Sequence, residues 1–442
     1  MNATVSRNAP CPCGSGKRYK DCCGRLAAAP CEDPARALLE RALAAQLGRD
    51  LPTAETLYRE ALALAPQHPD GLHMLGVIRM ERGDASEAVR LIRAALETTD
   101  WSDRNMQHNL GLALGKRLQE RASAAPTVSR PSSPVRGAPC PNASISVVLP
   151  LYNHERYVAE AIASVIAQES PPAELIIIDD GSRDDSVARA RRAIEGAPFP
   201  CRLVARENRG AAATLNEAIA MARGDFIQPL NSDDMLTPTR LARMRAAVCA
   251  EGAALGFADV ECIDASGARI DEFDDSRVFT FRCMQSEVAD YDSSGLAFLS
   301  QNPAISTGNL FFSRALFEAI GGFRDLRYHH DWDFVLRALW HTDPVPVDEV
   351  LYRYRFHESN TISEQGSARA IEADAMLREF LGDVFTRRAT HALAPTLDNW
   401  GEALLTIIFA KGVASLVPRE TMREFCQLLS DEATAASTAP GR

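Results

Sequence analysis

The sequence predicts an α/β protein built on a doubly wound, mostly parallel sheet, with small helical and cysteine-rich pieces ahead of it and a helical extension behind. Three observations carry this expectation. From residue 145 onward, short β-branched runs alternate with segments of helical periodicity. Ahead of them, small and apolar residues recur 34 positions apart. At the front, Cys11, Cys13, Cys22 and Cys23 fall within thirteen residues.

Bulk properties narrow the function. A chain of 442 residues accommodates roughly three domains of ~150 residues each. Lys and Arg number 48 against 59 Asp and Glu, a net charge of −11, which argues against a protein that must neutralise nucleic-acid phosphates. The same charge disfavours electrostatic docking on anionic lipid. No run approaches the ~18 apolar residues of a membrane span, and ALLTIIFA (403–410) ends at Lys411 and reads as a buried helix. The N-terminus MNATVSRNAPC lacks the apolar core of a signal peptide. Eleven cysteines, an odd number with seven scattered along the chain, point to a reducing cytoplasm. Peripheral contact at the inner membrane through an apolar C-terminal helix is the alternative location.

Taken in order, residues 1–30 hold the cysteine cluster, CPCGSGKRYKDCCG. Four thiolates suit tetrahedral Zn²⁺, the glycines allow tight turns, and Lys17, Arg18 and Lys20 offset the negative charge. So short a piece builds no core, so metal would supply its folding energy. The GSGK within it lacks the spacing and preceding strand of a phosphate loop. Residues 31–121 are rich in Ala and Leu. Ala54, Tyr58 and Ala61 return as Ala88, Ile92 and Ala95, and Leu75-Gly76 returns one position out of register as Leu110-Gly111. A plain helical hairpin bundle is the alternative to a true repeat. Residues 122–143, ASAAPTVSRPSSPVRGAPCPNA, read as a flexible linker.

Residues 144–365 form the predicted sheet domain. ISVVLP (145–150), LIIIDD (175–180), CRLVA (201–205) and DFIQPL (225–230) read as strands. Val158, Ala161, Ile162, Val165 and Ile166 mark one helix face, and Leu215, Ala218, Ile219 and Ala222 another. Residues 366–430 turn helical again, with Ala373, Met376, Leu377, Phe380 and Val384 on one stripe. The tail, 431–442, reads as disordered.

Ligands in open α/β sheets bind at the carboxyl ends of strands. Two predicted strands run into paired acids there, Asp179-Asp180 and Asp233-Asp234. Gathered carboxylates repel one another unless a cation or hydrogen-bond donors sit among them, a task suited to a hard divalent ion. A turn capping the helix begun by TPTRLARM, through Ser232 or Asp233, is the simpler account of the second pair.

The segments VVLPLYNHERYVAEAIASVIAQ, ELIIIDDGSRDDS, ENRGAAATLNEAIAMARGDFIQPLNSDDMLTP, STGNLFFSRALFEAIGGF and HHDWDFVLRAL resemble glycosyltransferase family 2, with its GT-A fold, over roughly half the chain. The resemblance implies transfer of a sugar from a nucleotide diphosphate donor to an acceptor hydroxyl, with inversion. It implies that Pro150, Tyr152, Asp179 and Asp180 lie beside the base and ribose and that Arg209 contacts the nucleotide. Asp233 and Asp234 correspond to the acidic motif that holds Mn²⁺ or Mg²⁺ on the donor diphosphate, with His357 as a further metal or diphosphate contact. Such an ion stabilises charge developing on the leaving group. Gly308 and Asn309 fall where donor or acceptor sugar is placed. Asp331 matches the catalytic base, which takes the acceptor's proton. Asp333, at i+2 of a helix, points elsewhere, and both acids could instead merely favour a helix N-terminus. The chain departs from the family at Asn231, often Asp, and at His330, often Glu.

The cysteine cluster matches the SEC-C motif, the zinc-binding tail of the SecA translocation ATPase, which implies structural Zn²⁺ on Cys11, Cys13, Cys22 and Cys23. The 34-residue recurrence resembles tetratricopeptide repeats. Both modules imply a protein partner, so the acceptor is expected to be a protein or a glycan. A transferase for a surface glycan or lipid-linked acceptor, and a non-catalytic scaffold with a decayed transferase domain, are the alternatives.

Overall fold

The computed structural model describes residues 33–124, 142–358, 360, 367–410, 412–418 and 420–424. The cysteine cluster, most of the 122–143 segment and the 431–442 tail lie outside them. The chain divides into two compact units at residues 117 and 118.

The first unit is helical: α1 (Pro34–Leu47), α2 (Leu51–Leu64), α3 (Pro69–Glu81), α4 (Ala85–Thr98) and α5 (Arg104–Ala124), the last crossing the division. The recurrence in the sequence has a direct structural counterpart. Ala54, Tyr58, Ala61, Ala88, Ile92 and Ala95 are all at most 1% exposed, so the repeated positions are those that face neighbouring helices. Asp50 and Asp84 cap α2 and α4 in the same way, accepting from the backbone N–H of Thr53 and Glu87. At Gly76 a Cβ would sit 2.6 Å from Ile92, so only glycine lets α3 and α4 approach this closely.

The second unit centres on one eight-stranded sheet: β1 (Ile145–Leu151), β2 (Glu174–Asp179), β3 (Cys201–Ala205), β4 (Phe226–Pro229), β5 (Met235–Leu236), β6 (Leu255–Ile263), β7 (Phe311–Ser313) and β8 (Val345–Arg355). Their order is β3-β2-β1-β4-β7-β6-β8-β5. The first four strands are the β-branched runs of the sequence, and they pair in parallel. Val147, Val148, Leu149, Leu175, Ile176 and Ile177 are fully buried, as two covered faces require. The other half is mixed: β7 runs antiparallel to β4 and β6, β8 parallel to β6, and β5 antiparallel to β8. The predicted α/β class, with a mostly parallel sheet, is therefore the observed one.

Helices α6 (Val158–Ile166), α7 (Ser186–Ala193), α8 (Ala211–Met221), α9 (Arg240–Glu251), α10 (Ser276–Ser286), α11 (Arg314–Ile320) and α12 (His330–Ala338) complete the domain. Beyond it, α13 (Ser367–Thr386) buries Met376, Leu377, Phe380, Leu381 and Val384, and α14 (Leu397–Ala410) buries Leu404, Leu405, Ile407, Ile408 and Phe409. No helix among the described residues is long and apolar enough to cross a membrane. Strand order reverses at β1, which has β2 on one side and β4 on the other, so a crevice opens at its carboxyl end.

Candidate active site

That crevice is a cleft of about 890 Å³. Pro150 and Tyr152 enter it from the end of β1, Asp180 from the end of β2, and Asn231, Ser232 and Asp233 from the turn after β4. His330 and Asp331, at the start of α12, line the same space. Tyr152 is 44% exposed, leaving its ring open to the cleft.

The first acid pair is divided in use. Asp180 accepts backbone N–H bonds from Arg209 (2.8 Å) and Gly210 (2.9 Å) and is paired with the Arg206 guanidinium. Asp179 does not line the cleft. Its Oδ2 accepts from Gly181 (3.2 Å) and Ser182 (3.1 Å), shaping the turn, while its buried Oδ1 has no hydrogen-bond partner among the described residues. Arg209 serves Asp180 through its backbone only. That commitment turns the guanidinium outward, 63% exposed and 3.4 Å from Glu217, away from the cleft where a nucleotide contact was expected.

The second pair is divided more sharply. Asp233 faces the cleft; its Oδ2 lies 2.8 Å from His357 Nε2 and its Oδ1 3.9 Å from His154 Nδ1. Asp234 is 1% exposed and points into the core. It accepts from the Tyr352 hydroxyl (2.6 Å), Asn231 Nδ2 (3.2 Å) and the Arg355 N–H (2.8 Å). Burial, with the Asp233 charge beside it, pushes Asp234 well above the usual carboxylate range. Burial acts on Asp233 in the same direction, but the His357 hydrogen bond and the two imidazoles hold it below that range. The adjacent acids thus act as one cleft-facing charge and one internal strut. A helix cap does not explain them, since α9 begins only at Arg240 and its N-cap Thr239 makes no side-chain cap.

Asn231, where the family often has Asp, donates to Asp234 and to Ser306 Oγ (2.9 Å). A carboxylate could supply neither proton, so the amide suits a turn built around a buried acid.

Asp331 Oδ2 accepts from Asn302 Nδ2 (3.0 Å) and Oδ1 from the Trp332 N–H (2.8 Å). Asp333 is absent from the cleft and pairs with Arg337 (2.7 Å) and Arg324 (3.4 Å). His330 shares a hydrogen bond with Thr307 Oγ1 (3.0 Å), while its buried Nδ1 lacks a partner among the described residues.

Gly308 and Asn309 stand behind the cleft wall, and Ile305, Ser306 and Thr307 form its surface instead. A Cβ on Gly308 would lie 1.9 Å from the Tyr352 hydroxyl, so glycine makes room for the tyrosine that holds Asp234. Asn309 is fully buried, accepting from Arg240 (2.9 Å) and donating to the carbonyls of Ala258 (2.7 Å) and Ala304 (3.0 Å). Every group of its side-chain amide is committed to the protein, so it serves the wall and not the cleft.

The structure adds residues that the sequence reading passed over. Arg327, Tyr328 and Arg369 line one rim. Glu372 of α13 fixes the segment before Asp331 by accepting N–H bonds from Arg327 (2.9 Å), Tyr328 (2.8 Å) and His329 (2.8 Å). His154, three residues past β1, comes together with Asp233 and His357, one potential ligand atom from each lying within 4.8 Å of the others. Its position on the same sheet edge as the acids was the available signal. Two imidazoles and a carboxylate are a chemically suitable donor set for a divalent transition metal.

Residues 146–305 match the model of "Glycosyl transferase family 2", and residues 7–25 match that of the SEC-C motif. The chain carries a glycosyltransferase family 2 domain. Relatives of this domain include the succinoglycan biosynthesis protein ExoU of Rhizobium meliloti, 38% identical over 100 residues, which are 23% of this chain and 29% of that protein. The uncharacterized glycosyltransferase YwdF of Bacillus subtilis is 27% identical over 247 residues, 55% of this chain and 87% of YwdF. The chain spans less than half of several curated relatives, among them 47% of the R. meliloti protein ExoO. Among solved structures, the mannosyltransferase PcManGT of Pyrobaculum calidifontis, in complex with GDP-Man and Mn²⁺, aligns at TM-score 0.45 and 18% identity, covering 76% of this chain and 92% of that one.

Proposed function

We propose that the protein is a metal-dependent, inverting glycosyltransferase that moves a sugar from a nucleotide diphosphate donor to an acceptor hydroxyl. The observation that carries this reading is that Asp180, Asp233 and Asp331, distant in sequence, line one cleft at the carboxyl ends of the parallel strands. Pro150, Tyr152 and Asp180 are suited to base and ribose, Asp233 with His154 and His357 to the cation on the diphosphate, and Asp331 to the acceptor. When bound, that cation neutralises charge on the departing diphosphate. Asp331 holds the acceptor hydroxyl and takes its proton as the oxygen attacks the anomeric carbon. Asn302 and the Trp332 N–H orient its two oxygens, so the carboxylate is presented in one pose.

The proposal extends to a structural Zn²⁺ on Cys11, Cys13, Cys22 and Cys23, supported by the SEC-C match, in a cytoplasm whose reducing conditions keep thiols available. It assigns the N-terminal helices and knuckle to recruitment of a protein, as acceptor or assembly partner; a pull-down with residues 1–121 that recovers nothing specific counts against that part. The test of the core reading is calorimetric titration of UDP, GDP, CDP and dTDP, each with and without Mn²⁺. Manganese-dependent binding of one nucleotide, retained in Asp331→Asn but without sugar transfer, is the expected result. Absence of binding by all four points to a scaffold instead.

A further inference from the structure

The acids of the cleft are answered by cationic and neutral groups in different ways. Asp180 is paired with Arg206, and Asp233 is hydrogen-bonded to His357. Asp331 accepts from two neutral donors, Asn302 Nδ2 and the Trp332 N–H. On its side of the cleft, however, the rim carries two guanidinium groups. Arg327 lies four residues before Asp331, and Arg369 lies in the first turn of α13. We propose that Arg327 and Arg369 bind a phosphate or carboxylate on the acceptor, which is an anionic sugar or polyol presenting its hydroxyl to Asp331. The inference rests on the transferase reading for calling that ligand the acceptor.

Three observations support it. First, the fold ties the two arginines to one place. His329 Nε2 donates to the Arg369 carbonyl (3.2 Å). Glu372, one turn beyond Arg369, accepts N–H bonds from Arg327 (2.9 Å) and from the two residues after it. The start of α13 and the segment entering α12 therefore form one rim, which continues directly into Asp331. Second, the side chains suit an oxyanion. Arg327 is exposed with its guanidinium 5.4 Å from the Tyr328 ring centroid, and Arg369 is half-buried. A planar guanidinium offers paired donors that match the oxygens of phosphate or carboxylate. Third, the charge stands where an anion would otherwise be refused. Asp180, Asp233 and Asp331 all line the cleft, in a chain of net charge −11. An anionic acceptor would be repelled without cations beside Asp331, whereas a neutral sugar has no need of two full positive charges. A peptide fits less well, because both guanidiniums line the cleft itself, so anion and hydroxyl belong to one small unit. The competing account is that the two arginines meet the donor's own diphosphate.

Ligand-observed NMR titration of the full chain decides between them. The donor side is filled with whichever of UDP, GDP, CDP or dTDP binds with Mn²⁺, or left empty if none does. The probes are matched sets: glucose, glucose 6-phosphate and glucuronate; glycerol and glycerol 3-phosphate; and a serine peptide flanked by aspartates. At least one anionic sugar or polyol should bind about tenfold or more tighter than its neutral counterpart. Preference between phosphate and carboxylate then names the anion. Arg327→Gln and Arg369→Gln should each bring that preference close to parity with nucleotide affinity unchanged. Arg327→Lys, which keeps the charge and loses the fork, should recover part of it. Equal binding of neutral and anionic probes, or no binding by any of them, overturns the inference. So does a loss of nucleotide affinity in the arginine variants, which assigns them to the donor diphosphate. Tighter binding of the peptide than of every sugar and polyol overturns it too. If a variant does not fold, the matched wild-type titrations decide. Nucleotide binding without an anionic preference sinks this inference and leaves the transferase reading intact. An anionic preference that the arginine variants lose, on a protein that binds no nucleotide, keeps the anion site and sinks the transferase reading.

Discussion

The Tyr352 hydroxyl donates to Asp234 Oδ2 at 2.6 Å, behind the cleft rather than in it. Tyr352 is itself fully buried, and the Arg240 guanidinium lies 5.2 Å from its ring centroid. Removing the hydroxyl leaves a buried acid short of a donor, so Tyr352→Phe should destabilise the domain by about 1–3 kcal/mol in denaturant unfolding. Gly308→Ala should cost more, because its Cβ would overlap the same hydroxyl. The double variant should lose less than the sum of the two, since Phe removes the closest clash while leaving the ring carbon at 2.7 Å.

Asp331 and Asp333 stand two residues apart and should fail in different ways. Asp331→Asn retains size and burial but cannot take a proton, so turnover should fall roughly 10²–10⁴-fold with nucleotide affinity kept. Asp333→Asn removes a buried partner from Arg337 and Arg324. It should lower thermal stability with a much smaller change in turnover at permissive temperature. Steady-state kinetics beside a melting curve for each variant separates the two effects.

Glu372 accepts three consecutive backbone N–H bonds from residues 327–329, two positions before Asp331. It touches no reacting atom in the proposed mechanism and acts by positioning. Glu372→Ala should therefore lower kcat by about ten- to a hundredfold while leaving donor affinity nearly unchanged. Equal loss of donor affinity would point to collapse of the whole rim. Glu372→Gln, which keeps an acceptor oxygen, should recover part of the rate.

Glu55 supplies a pH test in the helical unit. The residue is 3% exposed and pairs with Arg59 (2.5 Å), Arg79 (3.1 Å) and Arg82. Burial raises its pKa, but the three guanidinium groups outweigh burial and hold it below the ordinary value of 4.5. A depressed folded-state pKa gives stability that is fully present above the unfolded value and is lost as pH falls through the folded one. The stability gap between wild type and Glu55→Gln should therefore be constant near neutrality and shrink below pH 4.5. Trp101, 1% exposed in the same unit, offers a fluorescence probe in the full chain. A gap that widens on acidification would contradict the assignment.

Legibility in the sequence followed burial. Strands β1 to β4 were visible because two covered faces demand unbroken runs such as LIIID, and the helical recurrence because Ala54 and Ala88 face the same kind of neighbour. The mixed half of the sheet was not visible. LGFADVECI and VPVDEVLYRYR carry charges through half-covered strands, and the pairing of β6 with β8 shifts register around Asp259. At the candidate site, strand-end acids flagged the edge of the sheet where the cleft opens. Which carboxylate faces the cleft and which faces the core was not legible, because Tyr352 and Arg355 make that choice from a strand far along the chain. Gly308 and Asn309 belong to the segment that builds the cleft wall but stand behind it. Their small and amide side chains serve Tyr352 and Arg240, not a ligand.

The reach of β8 also bears on biosynthesis. The bond between Tyr352 and Asp234 spans 118 residues, and that between Arg355 and Asp234 spans 121. A nascent chain that has completed β1 to β4 and the turn after it holds both acids, yet of the three donors to Asp234 only Asn231 is present until β8 leaves the ribosome. The floor of the cleft therefore matures late in synthesis, and a polypeptide truncated before residue 352 should accumulate as a half-sheet with an unfinished cleft.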